Sequence, residues 1–91
     1  TGISGITAGK VAEKMKIIGQ SRQVICITHL AQIAALADAH YRIQKAAAEN
    51  TTHTEITCMD EEESVMELAR LLGGAKITQS IIDSARELKG I

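Results

Sequence analysis

Tryptophan, phenylalanine and proline are absent from this chain, and Tyr41 is its single aromatic residue. Stacking on single-stranded bases, which needs aromatic platforms, is therefore nearly excluded. The core must be aliphatic, and thirteen Ile and thirteen Ala are there to build it. Cysteine is scarce. Cys26 and Cys58 lie inside apolar or strand-like runs, which is no disulfide framework and suits a reducing cytoplasm. No apolar run approaches the ~18 residues of a membrane span, and TGISGITAGK at the start has no apolar stretch of the kind a signal peptide carries. Charge of one sign is not in excess either. The net charge is -1, so bulk electrostatics do not point to nucleic acid. The balance hides an asymmetry: residues 1–45 carry six Lys and Arg against two acids, residues 46–91 four against nine. Such asymmetry ordinarily reflects solvated helix faces.

What is present fits one small domain or a piece of a larger one: 91 residues and 9.7 kDa. A chain of this size buries roughly 60–65% of its unfolded surface, so its stability is modest. With no Met at the start and with Gly2 and Gly5 at the edge, a piece of something longer is expected.

Thr1–Gly5 reads as a loop. From Ile6 to Ile18 a helix is expected, with Ala8, Val11, Ala12, Met15 and Ile18 on one face and Gly19 at its end. Residues 24–28, VICIT, form a short β-branched run of the kind buried on both faces in a parallel sheet. His29 follows at its carboxyl end, and LAQIAALAD at 30–38 reads as a short helix. The period then changes to two, which predicts an antiparallel hairpin over 41–46 and 52–58 with Asn50 in the turn. Asp60 and Glu63 have capping-box spacing ahead of a helix striped by Val65, Leu68, Ala69 and Leu72, which Gly73 and Gly74 stop. Thr78 can cap a last helix whose Ile81, Ile82, Ala85 and Leu88 face the core. One buried strand needs parallel neighbours, and this chain offers no second one. The pattern therefore predicts an α/β fragment at the edge of a larger sheet, with one buried strand, an edge β-hairpin and about four helices.

Among residues that could carry chemistry, His29 stands out. Ligands of open α/β sheets bind outside the carboxyl ends of strands, where Thr28 and His29 could present groups to a phosphate or a water. The plainer reading is a histidine hydrogen-bonded at a strand end. Cys26 with His29, and His53 with Cys58, do not make a metal site, because residues three or five apart on a strand point to opposite faces. The run Gly73–Thr78 lacks the spacing of a phosphate loop and reads as a helix stop followed by a cap. The acids 60–63 and the lysines Lys10, Lys14 and Lys16 read first as solvated helix turns, although the lysine face could touch DNA or a partner.

Together, TGISG, TAGKVAEKM, QVICITHLAQIAALADAHYRIQK and DEEESVMELARLLGG resemble the C-terminal end of the RecN family of bacterial recombination and DNA-repair ATPases, SMC relatives with an ABC-type head. The resemblance covers essentially the whole chain, and ICITHLAQIAALAD is its most specific stretch. It implies a C-terminal subdomain of an ATPase head over 1–91: a D-loop at 1–5, a switch-histidine strand and helix at 24–38, a hairpin at 41–58 and C-terminal helices at 60–90. By the same resemblance Gly2, Ile3, Ser4 and Gly5 would lie across a head–head interface around sandwiched ATP. His29 would contact the γ-phosphate and help hold the attacking water. ATP and Mg²⁺ would belong to the full-length parent and would not bind tightly to this piece alone. The implied partners are a second head, the N-terminal head segment, and DNA through the parent, in the cytoplasm and with no membrane. Two positions depart from the family pattern: Ala31 stands where Pro is usual and Ile6 where Arg is usual. A free-standing α/β interaction module without catalysis is the rival reading, and a metal-dependent hydrolase using the His and Cys residues is a remote third.

Overall fold

The computed structural model describes residues 4–91 of the chain. Helix α1 spans Gly5–Gly19 and starts on Ser4, whose Oγ accepts the Thr7 N–H at 3.2 Å. That hydroxyl satisfies one of the amides that a helix start leaves without a partner. Ala8 and Ala12 are buried, but Val11 and Ile18 remain exposed, so the expected apolar stripe is only half covered.

Residues 23–30 run without regular secondary structure, which corrects the expected strand at 24–28. A β-strand is stabilised by ladder bonds to its neighbours, and none of the described residues pairs with this segment. Ile25 and Ile27 are 84% and 87% exposed, the opposite of the burial that their composition predicts. Helix α2 is also shorter than expected, Ala31–Ala34 instead of 30–38. Beyond its end, Lys16 Nζ of α1 donates to Asp38 Oδ1 at 2.6 Å and to the Leu36 carbonyl at 3.4 Å.

The hairpin is as the alternation predicts, and longer. Strands β1 (Tyr41–Ala48) and β2 (Thr51–Cys58) pair antiparallel from Tyr41 opposite Cys58 to Ala48 opposite Thr51. Glu49 and Asn50 both have positive φ, 28° and 66°. Two such residues make the turn whose twist matches a right-twisted ribbon. The Met59 N–H donates to the His40 carbonyl at 2.9 Å and closes the base.

Helix α3 (Glu61–Gly73) opens on the full capping box: the Glu63 N–H donates to Asp60 Oδ1 at 2.8 Å, and the Asp60 N–H to Glu63 Oε1 at 3.2 Å. Gly74, with φ of 69°, takes a conformation that L side chains rarely adopt and ends the helix. Helix α4 (Gln79–Lys89) is capped by Thr78, whose Oγ1 accepts the Ile81 N–H at 3.3 Å. α3 and α4 pack around Val65, Leu68, Ala69 and Ala85, with Ala31, Ala34 and Ala35 of the α2 region completing the core. The α/β class stands, as a two-stranded antiparallel sheet with four helices.

This core is small. The accessible surface is 6859 Å², against about 5,100 Å² for a compact monomer of this mass. The radius of gyration is 14.4 Å, against about 12 Å for a compact domain of this length. Apolar surface at Ile25, Ile27, Tyr41, Ile43 and Ile56 accounts for part of that excess.

Candidate functional site

His29 is exposed near the end of the irregular segment 23–30. Just before it, Thr28 Oγ1 accepts the Leu30 N–H at 3.0 Å and turns the chain into α2. The Thr28 oxygen thus serves the backbone locally. The segment forms one wall of a broad open groove of about 970 Å³. Tyr41, Ile43 and Ile56 line a second wall from one face of the hairpin, and Glu67, Arg70 and Leu71 of α3 a third. Lys16, Arg22, Arg42 and Arg70 contribute positive charge to the lining, against Asp38 and Glu67. The groove is an apolar surface with a basic edge.

Within the groove, Arg70 forks onto the Glu67 carboxylate, its Nε donating to both oxygens at 3.1 Å. This bond holds Glu67 below the usual carboxylate range, although burial works against it. Arg42 Nε is buried with no partner among the described residues.

Of the proposed D-loop, Thr1, Gly2 and Ile3 lie outside the described residues. Ser4 and Gly5 form the cap and first residue of α1. A Cβ on Gly5 would lie 3.2 Å from Gln32 Nε2, so the missing side chain lets the start of α1 approach α2 closely. That brings Gly5 beside Gln32, three positions beyond His29. Ile6, where the family pattern has Arg, is exposed in the first turn. Ala31, where it has Pro, is the first residue of α2 and is buried.

His53 Nε2 lies 3.2 Å from Glu55 Oε1. Among the described residues no three His, Cys, Asp or Glu side chains are grouped to hold a metal ion. No helix among them is long and apolar enough to cross a membrane. Of the lysine face, Lys16 pairs with Asp38, whereas Lys10 and Lys14 stay exposed. Of the acids 60–63, Asp60 and Glu63 close the capping box, and Glu62 Oε1 accepts from Arg86 at 3.1 Å.

Sequence reading missed one polar cluster: His40, Ser64 and Lys89. Ser64 is 2% exposed on α3. Its Oγ lies 2.9 Å from His40 Nδ1 and accepts from Lys89 Nζ at 3.2 Å. A signal was available, since Ser64 stands four residues before Leu68 on the apolar stripe.

No family profile matches the chain. Individual proteins do. The chain is 41% identical over 87 residues to the DNA repair protein RecN of Vibrio cholerae, a match that covers 96% of this chain and 16% of that protein. The RecN of Halalkalibacterium halodurans is 41% identical over 88 residues, with 97% and 16% covered. The RecN of Bacillus subtilis is 39% identical over 88 residues, with 97% and 15% covered. The chain thus spans about one sixth of the length of these relatives. The resemblance carried by TGISG and ICITHLAQIAALAD extends through the hairpin and both C-terminal helices, and nearly the whole chain is similar to a C-terminal stretch of the DNA repair protein RecN.

Proposed function

We propose that this chain is the C-terminal subdomain of an SMC-like, ABC-type ATPase head that acts in recombinational repair of DNA double-strand breaks. The similarity of 96–97% of the chain to proteins named for DNA repair is the observation that carries this reading. The uncovered apolar segment 24–28 adds to it. Ile25 and Ile27 have the composition of a buried parallel strand and no partner among the described residues, as expected of a strand whose sheet is completed by another part of a parent.

ATP and Mg²⁺ would be held mainly by that parent. The chain carries no G-x-x-x-x-G-K-[ST] run, so it offers no phosphate loop. It can contribute Ser4 and Gly5, with Gly2 and Ile3 before them, at a head–head interface, and an exposed imidazole at His29. When bound, ATP supplies the phosphoryl group whose hydrolysis powers the head. His29 would hydrogen-bond the γ-phosphate and steady the attacking water. A second head and DNA are partners of the parent in this reading, and its place is the cytoplasm, on the nucleoid.

The test is steady-state ATPase kinetics of the full-length protein carrying His29→Ala, beside nucleotide affinity and thermal melting. A loss in kcat on the order of 10²-fold, with nucleotide binding much less affected, is expected of a group that acts chiefly in the transition state. Near wild-type kcat in a well-folded variant removes His29 from the mechanism.

A further inference from the structure

Three side chains from three elements meet at the base of the hairpin. Lys89, in the last turn of α4, donates to Ser64 Oγ of α3, which lies 2.9 Å from Nδ1 of His40, the residue before β1. An ammonium group can only donate. The Ser64 oxygen therefore receives from Lys89, and its own hydrogen can pass to His40 Nδ1. That nitrogen accepts only while it carries no proton. We propose that Lys89, Ser64 and His40 form a one-way hydrogen-bond chain that clasps the end of α4 to α3 and the hairpin base while His40 is neutral, and that opens when His40 takes up a proton.

Protonation makes both ring nitrogens donors. The Ser64 oxygen would then face two cationic donors, its own hydrogen would lose its acceptor, and the imidazolium would repel Lys89. Burial already holds the His40 pKa below the usual histidine value, and Lys89 adds to that depression. Glu67 of α3 acts in the opposite sense. The other titratable groups around the adjoining cavity of about 250 Å³ are Asp38, Cys58, Asp60 and Glu61. Asp38 is engaged by Lys16, and Asp60 by the first turn of α3.

A histidine whose folded-state pKa is depressed stabilises the fold fully above its unfolded pKa, about 6.5. That contribution is lost as pH falls through the lower folded value. The clasp should therefore hold at neutral pH and loosen below about 6.5. The core contacts of Ile81, Ile82 and Ala85 do not depend on it, so loosening is confined to the last turn of α4.

The experiment is deuterium exchange of the α4 end in the full-length protein between pH 5.5 and 8, corrected for intrinsic exchange. Protection should fall as the pH drops below about 6.5, by at most about tenfold per pH unit, the limit set by linkage to one proton. His40→Asn, which keeps an acceptor near the Nδ1 position and does not titrate, should give a flat profile. Unchanged protection in the wild type, or the same fall in His40→Asn, overturns the proposal. Nitrogen NMR of His40 in the unmutated protein needs no variant. A neutral ring protonated on Nε2 at pH 8 supports the clasp, and one protonated on Nδ1 overturns it.

Discussion

Gly73 and Ile81 hold α3 and α4 together by close approach: a Cβ added to Gly73 would lie 2.5 Å from Ile81 Cδ1 and 3.3 Å from its Cγ2. Alanine in place of glycine gains about 1 kcal/mol of helix propensity. Overpacking of this kind costs about 1–3 kcal/mol. Gly73→Ala should therefore destabilise by about 1 kcal/mol net. Ile81→Val removes the obstructing Cδ1 and by itself costs about 0.5–1.5 kcal/mol. In the double variant the two losses should fall short of their sum by at least about 0.5 kcal/mol. Urea denaturation of the four proteins measures this coupling, and simple additivity would contradict the packing described.

Ala31 is the first residue of α2, and its N–H makes no hydrogen bond among the described residues. Leu30 before it is extended, with φ of -95° and ψ of 120°, as a residue preceding proline must be. Proline fits such a first helical position. Ala31→Pro should raise stability by about 0.4–1 kcal/mol by restricting the unfolded chain. For a domain of this size that is a gain of about 2–8 °C in Tm. A lower Tm by calorimetry would show that the ring does not fit beside the core.

Open strand-like backbone flanked by apolar side chains invites pairing with another copy. The 91-residue chain alone should accordingly self-associate as its concentration rises. Ile25 and Ile27 carry the most exposed large apolar side chains of the segment 23–30. Ile25→Lys with Ile27→Lys should shift the population towards monomer. Sedimentation across a wide concentration range decides this. A wild-type chain that stays monomeric throughout would sink the expectation.

Acid sensitivity should centre on Glu67. The Arg70 hydrogen bond lowers its folded-state pKa. A carboxylate depressed in this way stabilises the fold above its unfolded pKa, about 4.3. The stabilisation disappears as pH falls through the folded value. Glu67→Gln should flatten the acid limb of a stability–pH profile below pH about 4.5 and, by removing the charge that raises the His40 pKa, should move the loss due to His40 to lower pH. Melting temperatures across pH 3–7 for both proteins test this.

Local chemistry was legible in the sequence where it is local in the structure. The Asp60–Glu63 box, the Thr78 cap and the Asn50 turn each depend on residues three or fewer apart, and each is found where spacing places it. The segment 24–28 is different. Its composition describes a strand between neighbours, whereas ladder pairing depends on what lies alongside, which a run of five residues does not encode. Just beyond α2, the Lys16–Asp38 pair joins residues 22 positions apart. The His40 cluster joins positions 24 and 25 residues apart, beyond the reach of helix or strand periodicity. Of the candidate site, His29 could be singled out from its place after VICIT; the groove beside it could not, because its walls come from four separate stretches of chain.

The position of Tyr41 decides what an optical experiment on this chain observes. It is the single aromatic residue, more than half exposed at the start of β1, and it is not among the residues of the α3–α4 core cluster. Near-ultraviolet absorbance and intrinsic emission therefore report the hairpin base and its groove, not the interior of the helical layer. Far-ultraviolet dichroism, dominated by α1, α3 and α4, reports the remainder. Recording both signals in one melt resolves ribbon from helical layer without any label.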